Sequence, residues 1–192
     1  MLKFYNYDIV CQEIPDEVTL AINITGCPIH CPGCHSTWLW EDSGDMLCSF
    51  GEDGGAAPKE ASVEVSGEAS AQNPEANADF GGLEAIVEKY APCITCVCFM
   101  GGDAAPEEVA ACSRRVRKLW PSLKTGWYSG RQALAAGVDA KDFNYLKLGP
   151  YIAALGGLRS PRTNQKLYKV ETDGTLTPIQ VYDPHKGPLG SE

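Results

Sequence analysis

The most constraining feature of the chain is a short loop that holds three cysteines. In the stretch GCPIHCPGCHSTWLW, residues 26–40, Cys27, Cys31 and Cys34 have the spacing C-x3-C-x2-C. The prolines and glycines between them are unsuited to a helix and favour a tight loop whose backbone can approach a ligand closely. The sequence therefore predicts one compact loop that presents three thiols.

Three thiols in one loop can serve two kinds of metal centre. Structural zinc takes four ligands, so zinc would need His30 or His35 to complete the set. Thiolates also bind iron-sulfur clusters, and a cubane held by three cysteines leaves its fourth iron without a protein ligand. Because catalysis at a metal needs an open coordination position, the odd number of cysteines favours the cluster.

The rest of the sequence predicts a single α/β domain spanning residues 1–192. Apolar residues alternate before the cysteine loop, which indicates that a β-hairpin leads into it. Strands and helices then alternate: a helix at 83–90, a strand at 95–100, a helix after Pro106, a strand at 124–129, a short helix at 132–136, a strand at 143–149 and a terminal hairpin around Asp173-Gly174. This order implies a largely parallel sheet with functional loops at the carboxyl ends of its strands.

Residues 49–82 interrupt this pattern with a segment rich in Gly, Ala, Ser, Glu and Pro. Seven of the 25 acidic residues of the chain lie there, against one of its 16 basic residues. Such a composition predicts a disordered acidic insertion at the surface. It is interpreted either as a solvated spacer or as an acidic tether that docks a partner.

Charge and composition limit the partners that the protein can have. The formal net charge is −9, which disfavours non-specific binding to nucleic acid or to an anionic membrane. The first residues lack the pattern of a secretory signal, and no apolar run reaches the roughly 18 residues of a membrane span. We therefore expect a cytoplasmic protein whose nine cysteines stay reduced and whose partner is a protein or a small molecule.

The cysteines outside the loop are expected to be mostly buried thiols. The spacing of Cys93 and Cys96 suggests a second metal or a redox pair, but Cys96 and Cys98 lie two apart on a core strand and share one face, which favours packing. Core positions are also expected for Cys11 and for the apolar face of the helix after Pro106, whereas Cys48 has no obvious partner. The residues of that helical face are Val109, Cys112, Val116 and Leu119.

Three stretches of the sequence resemble one enzyme family. The C-x3-C-x2-C spacing is the signature of the radical S-adenosylmethionine enzymes, and GCPIHCPGCH followed by STWLW is similar to the activating proteins of anaerobic ribonucleoside-triphosphate reductase. Gly101-Gly102-Asp103 sits where those enzymes have a strand-end GG-acid motif, and GLRSPRTNQKLY, residues 157–168, resembles their carboxyl-terminal segment. Two departures are the Ala104-Ala105 pair before Pro106 and the long insertion.

The resemblance implies a fold, two cofactors and two partners. The fold would be a small, incomplete α/β barrel with a mostly parallel sheet. The cofactors would be a 4Fe-4S cluster and S-adenosylmethionine, whose reductive cleavage yields a radical that takes a hydrogen atom from a glycine of the reductase. A low-potential donor such as flavodoxin or ferredoxin would supply the electron.

The resemblance also assigns roles to the loop residues and to the residues at the ends of the strands. Cys27, Cys31 and Cys34 would bind the cluster, and Gly33 and His35 would lie against the nucleoside. The amino end of methionine would bind at the GGD turn. Residues at the end of the next strand are candidates for contact with the ribose or the methionine. The residues of these two strand ends are Gly101, Gly102, Asp103, Tyr128 and Ser129.

Asn164 and Gln165 would help to form the face presented to the partner. Two other functions remain open at this point. In the first, the chain activates another glycyl-radical enzyme or carries out radical chemistry on a small molecule. In the second, it is a non-catalytic iron-sulfur or zinc-binding module. The last of these would have no use for an open coordination site or for the GGD turn.

Overall fold

Eight strands form one sheet in a computed structural model, which describes residues 1–11, 13–50 and 78–181. The strands are β1 (Leu2–Val10), β2 (Thr19–Ile24), β3 (Asp45–Cys48), β4 (Cys96–Met100), β5 (Lys124–Tyr128), β6 (Tyr145–Leu148), β7 (Lys166–Val170) and β8 (Leu176–Ile179). Their order across the sheet is β3-β1-β2-β4-β5-β6-β7-β8. The predicted α/β class and both hairpins are therefore confirmed.

The sheet is mixed, and this corrects the expectation of a mostly parallel one. Strands β2, β4, β5 and β6 are parallel neighbours in its centre. The outer pairings, β3-β1, β1-β2, β6-β7 and β7-β8, are antiparallel. Short connections can join only antiparallel neighbours, and hairpins flank the parallel centre on both sides. The four central strands direct their carboxyl ends to one common edge.

Two helices cover one face of the sheet, and a third predicted helix does not form. α1 (Gly81–Tyr90) and α2 (Pro106–Leu119) bury their apolar stripes, although the predicted core residue Leu119 is 41% exposed at the last position of α2. Residues 132–136 are irregular and are followed by a 3-10 turn at Ala140–Asp142. A stretch so short cannot easily nucleate a helix, and Gly137 with φ +82° ends it.

The two faces of the sheet carry separate cores. Val97 and Phe99 of β4 point toward the helices, where Trp127 stacks on Phe143 at 5.6 Å between ring centroids. Cys96 and Cys98 point to the opposite face and pack there with Ile14, Tyr128, Tyr145 and Leu167. This confirms the prediction that these two thiols are buried on one face.

The remaining cysteines divide into exposed and buried ones. Cys11 and Cys93 are exposed, so the expectation that both are buried was wrong. Cys48 and Cys112 are buried, and their sulfur atoms lie 3.0 Å apart between the end of β3 and helix α2. Cys48 therefore has a neighbour that the sequence did not indicate.

The ends of the predicted insertion belong to the fold. Ser49 and Asp79 exchange two backbone hydrogen bonds of 2.9 and 2.8 Å, and Phe50 and Phe80 meet edge to face at 5.5 Å. Residues 81 and 82 already belong to α1. The rest of the predicted disordered segment, residues 51–77, lies outside the described residues.

The described parts of the chain contain no helix with the length and apolarity needed to cross a bilayer.

A buried carboxylate joins the starting ends of the parallel strands. Glu17, which is 4% exposed, accepts hydrogen bonds of 2.6 Å from the hydroxyl groups of Thr95 and Tyr145 and pairs with the ammonium of Lys124. Burial raises the pKa of Glu17, but these three hydrogen bonds outweigh it, and the net pKa is lowered. Glu17 therefore stabilises the fold in its charged form.

We expect Glu17→Gln to lower the free energy of unfolding by about 2 kcal/mol at neutral pH, because the amide loses the ion pair and one strong acceptor. A group with a lowered pKa stabilises fully above its ordinary value of 4.5 and loses this effect as the pH falls through the folded-state pKa. Urea unfolding of both proteins across this pH range measures the difference. Glu171→Gln, which removes an exposed pair with Lys169, is the control; equal losses in the two variants would contradict the prediction.

Candidate active site

A cleft of about 590 Å³ lies at the carboxyl ends of the central parallel strands. Each of these strands contributes a residue near its end: Ile24 of β2, Met100 of β4, Tyr128 of β5 and Lys147 of β6. The cysteine loop and residues 157–160 complete the walls. This is the edge at which α/β sheets bind ligands, because the connecting loops converge there.

All three loop cysteines line this cleft, as predicted. The loop is shaped by three residues with positive φ, namely Gly26 at 72°, His30 at 46° and Gly33 at 75°. Backbone hydrogen bonds of 3.0 and 2.9 Å, from residues 26 and 27 to residues 41 and 39, fix its first part. The chain therefore holds the thiols in a defined loop that needs left-handed backbone at three positions.

Backbone N–H groups surround the sulfur atoms. Burial raises the pKa of the Cys27 thiol, while backbone hydrogen bonds from Ile29 and His30 act in the opposite direction. The amide of Ser36 lies 3.4 Å from the sulfur of Cys34 and donates to it. Such N–H donors favour the thiolate and are among the interactions that tune iron-sulfur clusters.

The potential metal ligands of the loop bear differently on the two metal centres suggested by the sequence. Among the described residues, no three His, Cys, Asp or Glu side chains are gathered so as to hold a single metal ion. His30 stacks on Trp40 at 4.7 Å between ring centroids, and His35 Nε2 lies 3.2 Å from the hydroxyl of Tyr151. The thiolates of a cubane each bind a different iron, so a cluster needs thiols distributed around one cleft. All three cysteines line the same cleft, and the cluster itself remains a prediction.

The two glycines of the GGD turn have different surroundings. Gly101 and Gly102 have φ values of 93° and 82°, and only Gly101 lines the cleft. A β-carbon added to Gly102 would lie 2.5 Å from Cγ2 of Val109 and 3.2 Å from Cδ1 of Ile24. Gly102 therefore lets the first turn of α2 pack closely on the sheet.

Asp103 lines the cleft but is only 1% exposed, and its carboxylate is already engaged. Oδ1 accepts a 2.5 Å hydrogen bond from the hydroxyl of Ser129, and Oδ2 accepts a 2.9 Å bond from the amide of Gly130. The guanidinium of Arg131 donates to the Asp103 carbonyl at 2.8 Å. The structure thus brings Asp103 and Ser129 together as hydrogen-bond partners, a contact that the sequence did not predict. Their contact with a cofactor remains a prediction.

Tyr128 and His35 lie in the cleft wall. Burial raises the pKa of Tyr128, whose hydroxyl donates to the carbonyl of Glu13 and so is not available to a ribose without rearrangement. The rings of His35 and Tyr151 pack with centroids 4.9 Å apart. Of this pair, only the imidazole was predicted at the site.

Three other predicted residues lie around the cleft. Gly33 does not line the cleft. A β-carbon at this position would lie 3.2 Å from the β-carbon of Ala153, so the absence of a side chain lets the cysteine loop pack against Ala153. Asn164 donates at 2.9 Å to the carbonyl of Pro150, outside the cleft lining. Gln165 does line the cleft, and its side-chain amide donates at 3.3 Å to the carbonyl of Gly149.

Lys147 is a site residue that the sequence analysis missed. It is 8% exposed, lines the cleft, and donates to the carbonyls of Ser129 at 3.2 Å and Gly149 at 2.7 Å. Burial lowers its pKa to about 8, although Asp103 and the three cysteines favour the charged form. The signal was present, since a lysine inside the apolar strand YLKLG is unusual unless it is paired.

Comparisons of the chain with family models, with curated proteins and with solved structures found no significant match. A fold by itself does not decide a function, because one architecture carries many chemistries. The function of the cleft is therefore inferred from its own residues.

We expect Gly102→Ala to lower the free energy of unfolding by about 3 kcal/mol, because the new methyl group meets Val109 and the backbone is left-handed. Gly157→Ala is the matched control, since its φ is not positive and no heavy atom lies within 4 Å of the added carbon. Denaturant unfolding of both variants measures the effect. If Gly102→Ala were as stable as Gly157→Ala, the proposed packing role would be wrong.

Proposed function

We propose that the protein is a radical S-adenosylmethionine enzyme that activates a glycyl-radical enzyme, with anaerobic ribonucleoside-triphosphate reductase as its protein substrate. One observation carries the proposal. The cysteine loop follows β2 and the GGD turn follows β4, and these adjacent parallel strands present both motifs to a single cleft. Two motifs that are 67 residues or more apart in sequence thereby form one site.

The cofactors follow from the donor set. A 4Fe-4S cluster bound by Cys27, Cys31 and Cys34, with S-adenosylmethionine at its open iron, supplies reductive cleavage of the sulfonium to methionine and a 5′-deoxyadenosyl radical. An electron donor such as flavodoxin or ferredoxin is required, in a cytoplasm where thiols stay reduced. In this proposal the four central parallel strands would take the place of the small, incomplete barrel that the resemblance implies.

The protein has to bind, orient and shield these groups. Apolar side chains of Ile24, Ile29, Leu39 and Met100 line the cleft and keep water from a reactive radical. Transfer of a hydrogen atom needs no general base, so none of the titratable groups that line the cleft has to act as one in this chemistry. Lys147 has three N–H donors and uses two on backbone carbonyls, which leaves one for an anionic group such as the cofactor carboxylate.

The test is electron paramagnetic resonance of the anaerobically reconstituted and reduced protein mixed with S-adenosylmethionine and the reductase. We expect a glycyl-radical doublet together with 5′-deoxyadenosine. Cys31→Ala should lose the 4Fe-4S spectrum and both products, because a buried cluster ligand is missing. Cys93→Ala, at an exposed cysteine outside the cleft, should retain them.

Each outcome separates the candidate functions. Deoxyadenosine without a glycyl radical would keep the enzyme class and exclude this reductase as the substrate. A complete cluster with neither product would favour the non-catalytic iron-sulfur module. A fully retained cluster in Cys31→Ala would remove the central claim.

We expect Lys147→Met to weaken the binding of S-adenosylmethionine to the reconstituted protein by about tenfold, because a charge-assisted hydrogen bond is lost. Methionine nearly matches the length of lysine and leaves the apolar stem in place. Isothermal titration calorimetry measures the dissociation constant, with Lys118→Met on the exposed side of α2 as the control. An unchanged dissociation constant in Lys147→Met would exclude Lys147 from cofactor binding.

A further inference from the structure

Basic residues are concentrated in one part of this acidic chain. Residues 143–170 hold five of the 16 basic residues and none of the 25 acidic ones. Lys147 is buried in the cleft, and the other four, Arg159, Arg162, Lys166 and Lys169, are exposed. Glu171 pairs with Lys169 at 3.4 Å, and three further exposed cations lie at positions 159, 162 and 166.

A groove of about 390 Å³ runs along the same segment and adjoins the cleft. It lies between residues 158–168 and residues 178–181. Four residues line both the groove and the cleft: Leu158, Ser160, Gln165 and Val181. A chain lying in the groove would therefore run up to the wall of the cleft.

The three exposed cations lie beside this groove. Lys166 is one of its lining residues and Arg159 lines the adjoining cleft, while Arg162 follows Pro161 of the groove wall. Neither Arg162 nor Lys166 makes an ion pair with a residue that the structure describes. The carboxylates that share the cleft wall are Glu13 and the buried Asp103. The rim of the groove is thus positive.

We propose that the groove binds an extended acidic segment of the protein substrate and leads it into the cleft. The proposal rests on the proposed function and adds the kind of segment that the partner presents. Cations distributed along the rim match successive carboxylates of an extended chain, whereas a single small anion would need them to converge. Apolar side chains between them, such as Leu158, Pro161 and Ile179, accept the uncharged residues of such a segment.

Nucleic acid is the less suitable occupant. A phosphate backbone is negatively charged along its whole length. The protein has a net charge of −9, so its surface outside the groove repels such a backbone. A short acidic peptide needs only local complementarity with the groove. The experiment below includes an oligonucleotide so that this alternative is tested directly.

The experiment is fluorescence anisotropy at low salt, with the full chain and a fluorescein-labelled peptide in which glutamate alternates with alanine. Matched peptides carry glutamine or lysine in place of glutamate, and a labelled single-stranded oligonucleotide is the fourth probe. The variant Arg162→Glu/Lys166→Glu reverses the rim charge. Lys89→Glu/Lys118→Glu makes the same change at exposed positions on α1 and α2.

We expect the glutamate peptide to bind the unaltered protein, to bind more weakly as salt rises, and to lose about tenfold or more in affinity with the rim variant only. Equal affinity for the two double variants, equal binding of the lysine peptide, or tighter binding of the oligonucleotide would each overturn the proposal. The rim variant should still cleave S-adenosylmethionine without a partner at the unaltered rate.

The binding measurement needs neither cluster nor S-adenosylmethionine, so its result is independent of the proposed function. Absence of S-adenosylmethionine cleavage in the unaltered protein would remove the enzyme proposal while the peptide affinity could still be read. Loss of peptide binding with intact cleavage would remove only the docking proposal. In the complete system, the rim variant should raise the reductase concentration needed for half-maximal radical formation by a similar factor.

Discussion

The cleft depends on the position of one buried carboxylate, that of Asp103. It receives hydrogen bonds from the side chain of Ser129 and the amide of Gly130, so it joins the loop after β4 to the loop after β5. Lys147 extends the connection to β6 by donating to the carbonyls of Ser129 and Gly149. A buried carboxylate without such partners would be strongly destabilising, so these hydrogen bonds hold together the loops that follow β4, β5 and β6 in the wall of the cleft.

The parallel centre of the sheet is thus held by polar groups at both of its ends. At the starting edge Glu17 joins the loop before β2 to the beginnings of β4, β5 and β6. At the carboxyl edge Asp103 and Lys147 join the loops that follow. Apolar packing alone resists sliding of neighbouring strands poorly, because it is not directional. These side-chain hydrogen bonds add to the backbone ladder, whose register between β2 and β4 places the cysteines and the GGD turn around one cleft.

Local pattern was sufficient to predict most of the elements and the position of the cysteine loop after a strand, but not strand β3 or contacts distant in sequence. Alternating residues identified the first hairpin, and the spacing of Leu83, Ile86 and Val87 identified α1. Where tertiary contacts decide, prediction failed: the segment 132–136 is not a helix, and Cys11 is exposed. The hydrogen bond from Ser129 to Asp103, 26 residues away, also could not be predicted from the residues around either position.

The backbone pairing of Ser49 with Asp79 closes the chain at the base of the 51–77 segment. The sheet and α1 therefore depend on this closure and hardly on the length of chain between the two residues. Because Ser49 and Asp79 are held side by side, an affinity tag or a reporter domain inserted between them would join the fold at this one point. For a flexible connection, each doubling of its length would add only about 0.6 kcal/mol in closure entropy.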